Sequence, residues 1–158
     1  MDLNKILRNA FLVVLACLVL SACATKKVAT MGQMQGDVYT GTDTVEYLAD
    51  GVPDRVFFAT NEIILTTRSR DTLRKQAGWL RENSDVNVVL EGHADERGTR
   101  EYNLALGERR ANAAKDYLMT YGISSNRISV ISYGKERPVN SGSNPLAWSQ
   151  NRRSVTVK

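Results

Sequence analysis

One stretch of this chain combines a buried strand, a charged loop and a long helix, and it constrains the fold more than any other. The apolar run 86–90 has the pattern of a buried strand, and residues 91–110 then read E-G-H-A-D-E-R-G-T-R-E-Y-N-L-A-L-G-E-R-R. A helix is predicted over 100–121, because Gly122 is a common type of residue just past a helix end. A strand followed by a helix leaves a crevice at the carboxyl end of the strand, where ligands often bind.

The rest of the chain supplies further strands and one more helix. The predicted strands are 55–59, 86–92, 128–133 and 154–157, the predicted helices are 66–83 and 100–121, and residues 134–151 form a polar loop. The order β-α-β-α-β-β predicts an α+β fold, a two-layer sandwich with the helices on one face of a mixed sheet. We therefore expect one folded domain over residues 54–158.

The first residues have the pattern of a bacterial lipoprotein leader. Lys5 and Arg8 precede an apolar run at 10–20, which is shorter than the span of about 20 residues that a membrane-crossing helix needs. The sequence Leu-Ser-Ala-Cys at 20–23 resembles the lipobox, in which cleavage before the cysteine is followed by its acylation. Residues 1–22 are therefore predicted to be a signal peptide, and Cys23 the lipidated residue that anchors the chain in outer-membrane lipid.

The segment after Cys23 is predicted to be a flexible tether over residues 23–53. It is rich in Thr, Gly, Ala, Met and Gln and lacks a sustained periodicity. A short helical turn at 45–48 is the one local structure that the pattern favours there. Cys17 would leave with the signal peptide, so Cys23 would have no partner for an internal disulfide.

The net charge of +4 does not indicate a nucleic-acid partner, because the basic residues are interleaved with acidic ones. The sequence also indicates no cofactor. Glu91, His93 and Asp95 alternate and could face one side of a strand as a metal site, but the chain has only one histidine, and we favour a polar strand end. No nucleophile stands with a base and an orienting group, so a catalytic site is not expected.

The predicted helix carries a polar stripe beside its apolar one. At about 100° per residue, Asn103, Leu106 and Arg110 fall within about 60° of one another. A charged side chain at the edge of an apolar stripe needs a partner or a ligand, and Asp95 is the nearest plausible carboxylate. Two interpretations stay open from the residues alone: an internal Asp95–Arg110 salt bridge, or a binding pocket between the two charges.

Several motifs in one order resemble the OmpA-like peptidoglycan-binding domain family. They are Gly92-His93-Ala94-Asp95, Gly98-Thr99, Tyr102-Asn103, Leu106, Arg109-Arg110-Ala111, the run 132–138, and Asn151-Arg152-Arg153. The resemblance covers roughly residues 54–158. One position departs from it: Ala59 stands where family members often have an aspartate after the first strand, and Asn61 nearby contributes no charge.

The resemblance implies a non-covalent binder of the peptidoglycan stem peptide, recognised through diaminopimelate. Asp95 would accept hydrogen bonds from the ligand ammonium, and Arg110 would hold its carboxylate. The same resemblance implies supporting roles at the site for five further residues: Thr99, Asn103, Leu106, Asn61 and Arg97.

The resemblance also implies a location and partners. The chain would be a lipid-anchored outer-membrane protein that faces the periplasm and ties the membrane to the cell wall. Lipoproteins of this type also bind the β-propeller protein TolB and act with other Tol proteins in cell division and envelope integrity. The alternative is a hydrolase acting on peptidoglycan, since Glu91 with Asp95 or Glu96 could form an acid/base pair.

Overall fold

The computed structural model of the protein describes residues 34–158. The strands are β1 Met34–Gln35, β2 Val38–Tyr39, β3 Tyr47–Ala49, β4 Val52–Pro53, β5 Arg55–Phe57, β6 Val88–His93, β7 Ile128–Gly134 and β8 Arg153–Val157, and the helices are α1 Thr67–Glu82, α2 Arg100–Thr120 and α3 Pro145–Asn151, with a 3₁₀ turn at Ser125–Arg127. The main sheet has the order β5-β8-β6-β7, in which β6 and β7 are parallel and the other pairs are antiparallel.

The hydrophobic core lies between this sheet and α1 and α2. It contains Val56, Phe58, Leu73, Ala77, Leu80, Val88, Leu90, Ala111, Ala114, Leu118, Ile123 and Ile128. Alternate strand residues and residues three or four apart on the helices provide these side chains, as the two periodicities require. The predicted α+β sandwich with a mixed sheet is confirmed.

Local signals in the sequence set the bounds of both long helices. The Thr66 hydroxyl caps α1 by accepting a hydrogen bond from the backbone N–H of Ser69 at 3.1 Å. The Thr99 hydroxyl caps α2 by accepting one from the N–H of Tyr102 at 3.2 Å. Gly122 has φ 84°, a conformation that glycine adopts readily, and it ends α2 as predicted.

Two glycines allow α2 to pack closely on β6. A Cβ atom on Gly92 would overlap the carbonyl oxygen of Gly107 and lie 3.1 Å from the Gly107 Cα atom. The Ser132 hydroxyl on β7 also donates a hydrogen bond to the α2 carbonyl of Leu104 at 2.7 Å. The contact between backbones therefore fixes the height of α2 above the sheet, and with it the start of the helix.

Two segments differ from the sequence prediction. Within the predicted tether, residues 34–53 form two short hairpins, β1–β2 and β3–β4, in which Tyr39 and Leu48 are buried. The helical turn predicted at 45–48 is wrong, because Tyr47 begins a strand there. The predicted polar loop 134–151 ends in α3, whose Asn144 cap accepts from the N–H of Ala147 at 2.9 Å.

The predicted signal peptide 1–22, the lipidation site Cys23 and the first part of the tether lie outside the described residues. No helix between residues 34 and 158 has the length and apolar character needed to cross a membrane.

The face of the sheet opposite the helices carries the only histidine of the sequence. His93 is 1 % exposed, and its pKa is lowered from 6.5 to about 3. Burial is the main cause, and the charges of Arg153, Arg55 and Arg137 act in the same direction. The Glu91 carboxylate, 3.6 Å from Nε2, does not offset them. His93 is therefore neutral in the folded protein at neutral pH.

His93 is expected to make the folded state less stable in mild acid. Below its unfolded pKa of 6.5 the unfolded chain binds a proton that the folded chain does not bind until about pH 3. The free energy of unfolding should therefore fall as the pH drops below 6.5, with a slope approaching about 1.4 kcal/mol per pH unit. Urea unfolding of the wild type and His93→Gln between about pH 7 and 5 checks this, since most carboxylates stay ionised there. Equal slopes for the two proteins would contradict the prediction.

Candidate functional site

A cleft of about 270 Å³ lies at the carboxyl end of β6, between the loop after β5, the loop before α2 and the first turns of α2. Six of the seven residues predicted for a binding site line it: Asn61, Asp95, Arg97, Asn103, Leu106 and Arg110. Leu106 is 3 % exposed and forms an apolar part of the wall. The fold therefore brings residues from three separate segments to one hollow.

Arg110 reaches the cleft from the buried side of α2. It is fully buried, and its guanidinium donates three hydrogen bonds of 3.0 Å to backbone carbonyls of Ala59, Glu62 and His93. Two of these carbonyls belong to the loop after β5, and the third ends β6. Arg110 therefore holds that loop against the strand end. A guanidinium has five N–H donors, so two remain beyond the three that these carbonyls use.

The surroundings of Arg110 raise the free-energy cost of keeping its guanidinium charged. Its pKa is lowered from 12.5 to about 10, mainly by burial and also by the nearby charge of Arg152. The residue is still cationic at neutral pH. A buried cation without a carboxylate in direct contact favours an anionic ligand, because such a ligand offsets part of the desolvation cost.

Asp95 lies on the other side of the cleft and is 7 % exposed. Arg97 donates to both of its carboxylate oxygens, at 3.1 and 2.7 Å, and Arg152 donates to one of them at 3.3 Å. Burial alone would raise the pKa of Asp95, but the hydrogen bonds and charges of Arg97 and Arg152 outweigh it and leave the pKa below its ordinary value. Asp95 is therefore an anion at neutral pH.

The direct salt bridge between Asp95 and Arg110, one of the two interpretations of the sequence, is wrong. The carboxylate pairs with Arg97 and Arg152 within 4.0 Å, whereas all three guanidinium nitrogens of Arg110 donate to carbonyls. The two charges lie on walls of the same cleft without neutralising each other. A ligand with one positive and one negative group can therefore lie between them.

The loop before α2 has its shape fixed from within. The Asn103 side chain donates to the carbonyls of Arg97 and Thr99, at 2.8 and 3.0 Å. Gly98 has φ 88°, which an L side chain rarely adopts. Thr99 was predicted to bind the ligand, but its hydroxyl caps α2 and it does not line the cleft. Asn103 and Thr99 thus position Arg97.

The first hairpin provides a carboxylate that the sequence did not predict. Asp37 accepts a hydrogen bond from the N–H of Thr60 at 2.6 Å, and Arg152 lies 3.8 Å from the same carboxylate oxygen while also contacting the Asp37 carbonyl. Ala59, which stands in place of the usual family aspartate, provides only its carbonyl to Arg110. An acidic group from a distant segment therefore lies beside Thr60, the residue after the uncharged Ala59.

Three further residues line the cleft and were absent from the predicted set: Thr60, Gly98 and Tyr102. Tyr102 lies four residues before Leu106, and Leu106 lies four before Arg110, so helical spacing could have identified it. Thr60 lies between two residues already considered. No local pattern pointed to Asp37 or to Arg152 as groups that support the site.

Comparison with known proteins places the cleft in a family context. A family model described as the OmpA family matches residues 57–152. The chain is 45 % identical over 154 residues to the peptidoglycan-associated lipoprotein of Mesorhizobium japonicum, covering 95 % of this chain and 92 % of the relative. It is 44 % identical over 161 residues to the protein of that name from Rhizobium meliloti, covering 98 % of this chain and 90 % of the relative.

Solved structures share the fold. The crystal structure of the peptidoglycan-associated lipoprotein from Burkholderia pseudomallei superposes with a TM-score of 0.64 at 35 % identity, covering 66 % of this chain and 88 % of that one. The C-terminal domain of Helicobacter pylori MotB superposes with a TM-score of 0.61 at 19 % identity, covering 66 % and 82 % of the two chains. The second likeness concerns the fold alone.

Proposed function

This chain belongs to the OmpA family, and on that premise we propose that its cleft binds peptidoglycan non-covalently. The observation that carries the proposal is a pair of opposite charges on facing walls: Asp95, held as an anion, and Arg110, a buried cation with two N–H donors to spare. Diaminopimelate in the stem peptide ends in an ammonium and a carboxylate on one carbon. The ammonium of this headgroup matches the negative wall at Asp95, and the carboxylate matches the positive wall at Arg110.

Each end of the ligand headgroup has a specific partner. The carboxylate accepts the two free N–H groups of Arg110, whose planar fork suits two oxygens. The ammonium donates to Asp95. Leu106 packs against the aliphatic part of the ligand, and Asn61, which is exposed on the opposite loop, adds an amide.

Arg97 occupies the place beside Asp95 that the ligand ammonium would take. Its guanidinium forms a two-oxygen contact with Asp95, and its side chain is 43 % exposed. Arg97 is the exposed partner of this pair, so water can solvate its guanidinium when it leaves, and the ligand ammonium then replaces it as the positive partner of Asp95. Binding therefore exchanges the Arg97 contact for an ammonium contact, and Arg97 can return to water or stack further on Trp148, which it already approaches at 4.4 Å.

The proposal extends to the rest of the chain. Acyl chains at Cys23 would hold the protein in the outer membrane, and the cleft would hold the wall, so the chain would tie the two layers together as a non-enzymatic link. The relatives carry the name peptidoglycan-associated lipoprotein, which supports this role. TolB and other Tol proteins are proposed partners on the family resemblance alone.

Co-sedimentation of the full-length protein in neutral detergent with purified sacculi tests the proposal. We expect the protein to pellet with sacculi that carry diaminopimelate at the third stem position and to stay in solution with sacculi that carry lysine there, because lysine lacks the terminal carboxylate that Arg110 binds. The supernatant should contain no released muropeptides.

Two results would overturn it in different ways. Equal pelleting with both kinds of sacculi would contradict the proposal that the cleft recognises the diaminopimelate headgroup. Soluble fragments released by the protein would instead favour the hydrolase. If a Glu91→Gln variant released no fragments, Glu91 would be identified as one of the acid/base residues.

A further inference from the structure

A second cavity, of about 480 Å³, lies on the face of the sheet opposite the helices. Side chains of β5, β6 and β8 form its floor, and the segment 137–139 and the β3–β4 hairpin contribute its sides. The proposed wall-binding function makes no use of it. It differs from the cleft in position, since β6 directs His93 to this face and leads into Asp95 on the other side.

Two buried polar side chains in this cavity lack their usual partners. His93 is 1 % exposed, and its ring nitrogens have only weak contacts within residues 34–158: the Glu91 carboxylate lies 3.6 Å from Nε2, and the backbone of Arg137 is close to the ring without a hydrogen bond of normal geometry. Arg153 is 7 % exposed and donates only long bonds, 3.4 Å to the Asn151 carbonyl and 3.2 Å to that of Arg137. Within residues 34–158 its Nε–H has no acceptor and it forms no ion pair within 4.0 Å, although the charges of Glu91 and Asp54 act on it from farther away. Buried donors of this kind are costly unless a ligand satisfies them.

The arginines and carboxylates that line the cavity are not evenly paired. The arginines are Arg55, Arg137 and Arg153, and the carboxylates are Glu46, Asp54 and Glu91. Lys158 also lines it, but its ammonium donates to the Leu48 carbonyl at 2.8 Å. Asp54 and Glu46 are already occupied by Arg55, through contacts of 2.7 and 3.3 Å. Neutral His93 adds one N–H donor and no charge.

Five aliphatic side chains from the floor and the sides also line the cavity: Leu48, Pro138, Val139, Val155 and Val157. We propose that the cavity binds a small aliphatic carboxylate, with its oxygens on the Arg153 Nε–H and the His93 ring N–H and its carbon chain against these aliphatic side chains. A single negative charge matches Arg153, which forms no ion pair within 4.0 Å among the described residues. A phosphate dianion would leave an uncompensated negative charge in a partly buried site and should bind less well.

Titration of the isotope-labelled full-length protein with butyrate tests the site by NMR. We expect saturable shifts of the Arg153 Nε–Hε signal and of the His93 ring signals. Butylammonium has the same aliphatic chain with the opposite charge, so it should leave both signals in place. Inorganic phosphate should shift them with at least tenfold lower affinity. Signals that do not respond to butyrate, or that respond equally to butylammonium, would overturn the proposal.

Two variants are expected to act in opposite directions, so a loss of folding cannot imitate the result. Arg153→Lys removes the Nε–H and should weaken butyrate binding, read at the His93 ring, about tenfold or more, the effect of one charge-assisted hydrogen bond. Glu91→Gln removes the competing carboxylate and should tighten it. Arg109→Lys, at an exposed position on α2, is the matched control and should change nothing.

The two proposals fail separately. Butyrate at concentrations that saturate the Arg153 signal should leave the pelleting of the protein with sacculi unchanged. Loss of sacculus binding on addition of butyrate would mean that the carboxylate acts at the Arg110 cleft instead, and would overturn the assignment of a separate site.

Discussion

Asp95→Asn should reduce binding to diaminopimelate-containing sacculi by about 30-fold or more, since losing one side of a buried charge pair costs 2–5 kcal/mol or more. Asparagine keeps the size of the side chain and one acceptor oxygen, so the change removes the negative charge that faces Arg97, Arg152 and the ligand. Arg110 gives a less clean test. Its side chain also holds carbonyls of Ala59, Glu62 and His93, so its replacement would disturb the loop as well as the ligand contact.

Co-sedimentation over a range of sacculus concentrations measures the change, with Glu108→Gln as the control. Glu108 is an exposed carboxylate on the same helix, so this control alters the net charge equally without touching the cleft. Asp95→Asn also weakens the pairing of buried Arg152, so circular dichroism must establish that the variant is folded at the assay temperature. A folded Asp95→Asn protein that pellets like the wild type would remove Asp95 from the site.

The main elements of the fold could be predicted because local patterns encode them. Leu73, Ala77 and Leu80 fall on one stripe of α1, and all three are buried. Alternation along β6 separates core side chains from outer ones in the same way. These periodicities are properties of single elements, so they can be recognised without knowing what each element packs against.

The hairpins of residues 34–53 could not be predicted, because tertiary contacts stabilise them. Tyr39 packs edge-on against Phe57 at 4.8 Å, and Asp37 accepts from the N–H of Thr60. Strands of two or three residues have too little sequence for a periodicity, and isolated hairpins are marginal in water. The short helix α3 did have a local signal, since Asn144 followed by Pro145 is typical of a helix start.

The sequence indicated most of the side chains that line the cleft but not how they pair. The helical stripe and the loop could be recognised because spacing along one helix or one loop is local. The pairing of Asp95 depends on a tertiary contact. Its partner Arg152 lies 57 residues away in sequence, near the end of the chain. That partner is set by the sheet order, in which β8 lies between β5 and β6.

Gly92→Ala should be the most destabilising single methyl addition in the sheet. The new Cβ would overlap the carbonyl oxygen of Gly107 in α2, and a backbone atom cannot move aside as a flexible side chain can. The helix would have to rise from β6 and β7 together, which opens the core beneath it and displaces Arg110 from the cleft. Overpacking of this kind usually costs about 1–3 kcal/mol, and we expect about 3 kcal/mol or more here because the obstacle is backbone.

Gly78→Ala provides the matched control, because a Cβ atom there meets nothing within 4 Å and the position lies inside α1. Alanine favours a helix over glycine by about 0.5–1 kcal/mol, so this variant should be slightly more stable than the wild type. Urea unfolding followed by circular dichroism gives both free energies from the full-length protein. If Gly92→Ala lost less than about 1 kcal/mol, α2 would be free to shift on the sheet, and the close helix–strand contact could not be what positions Arg110.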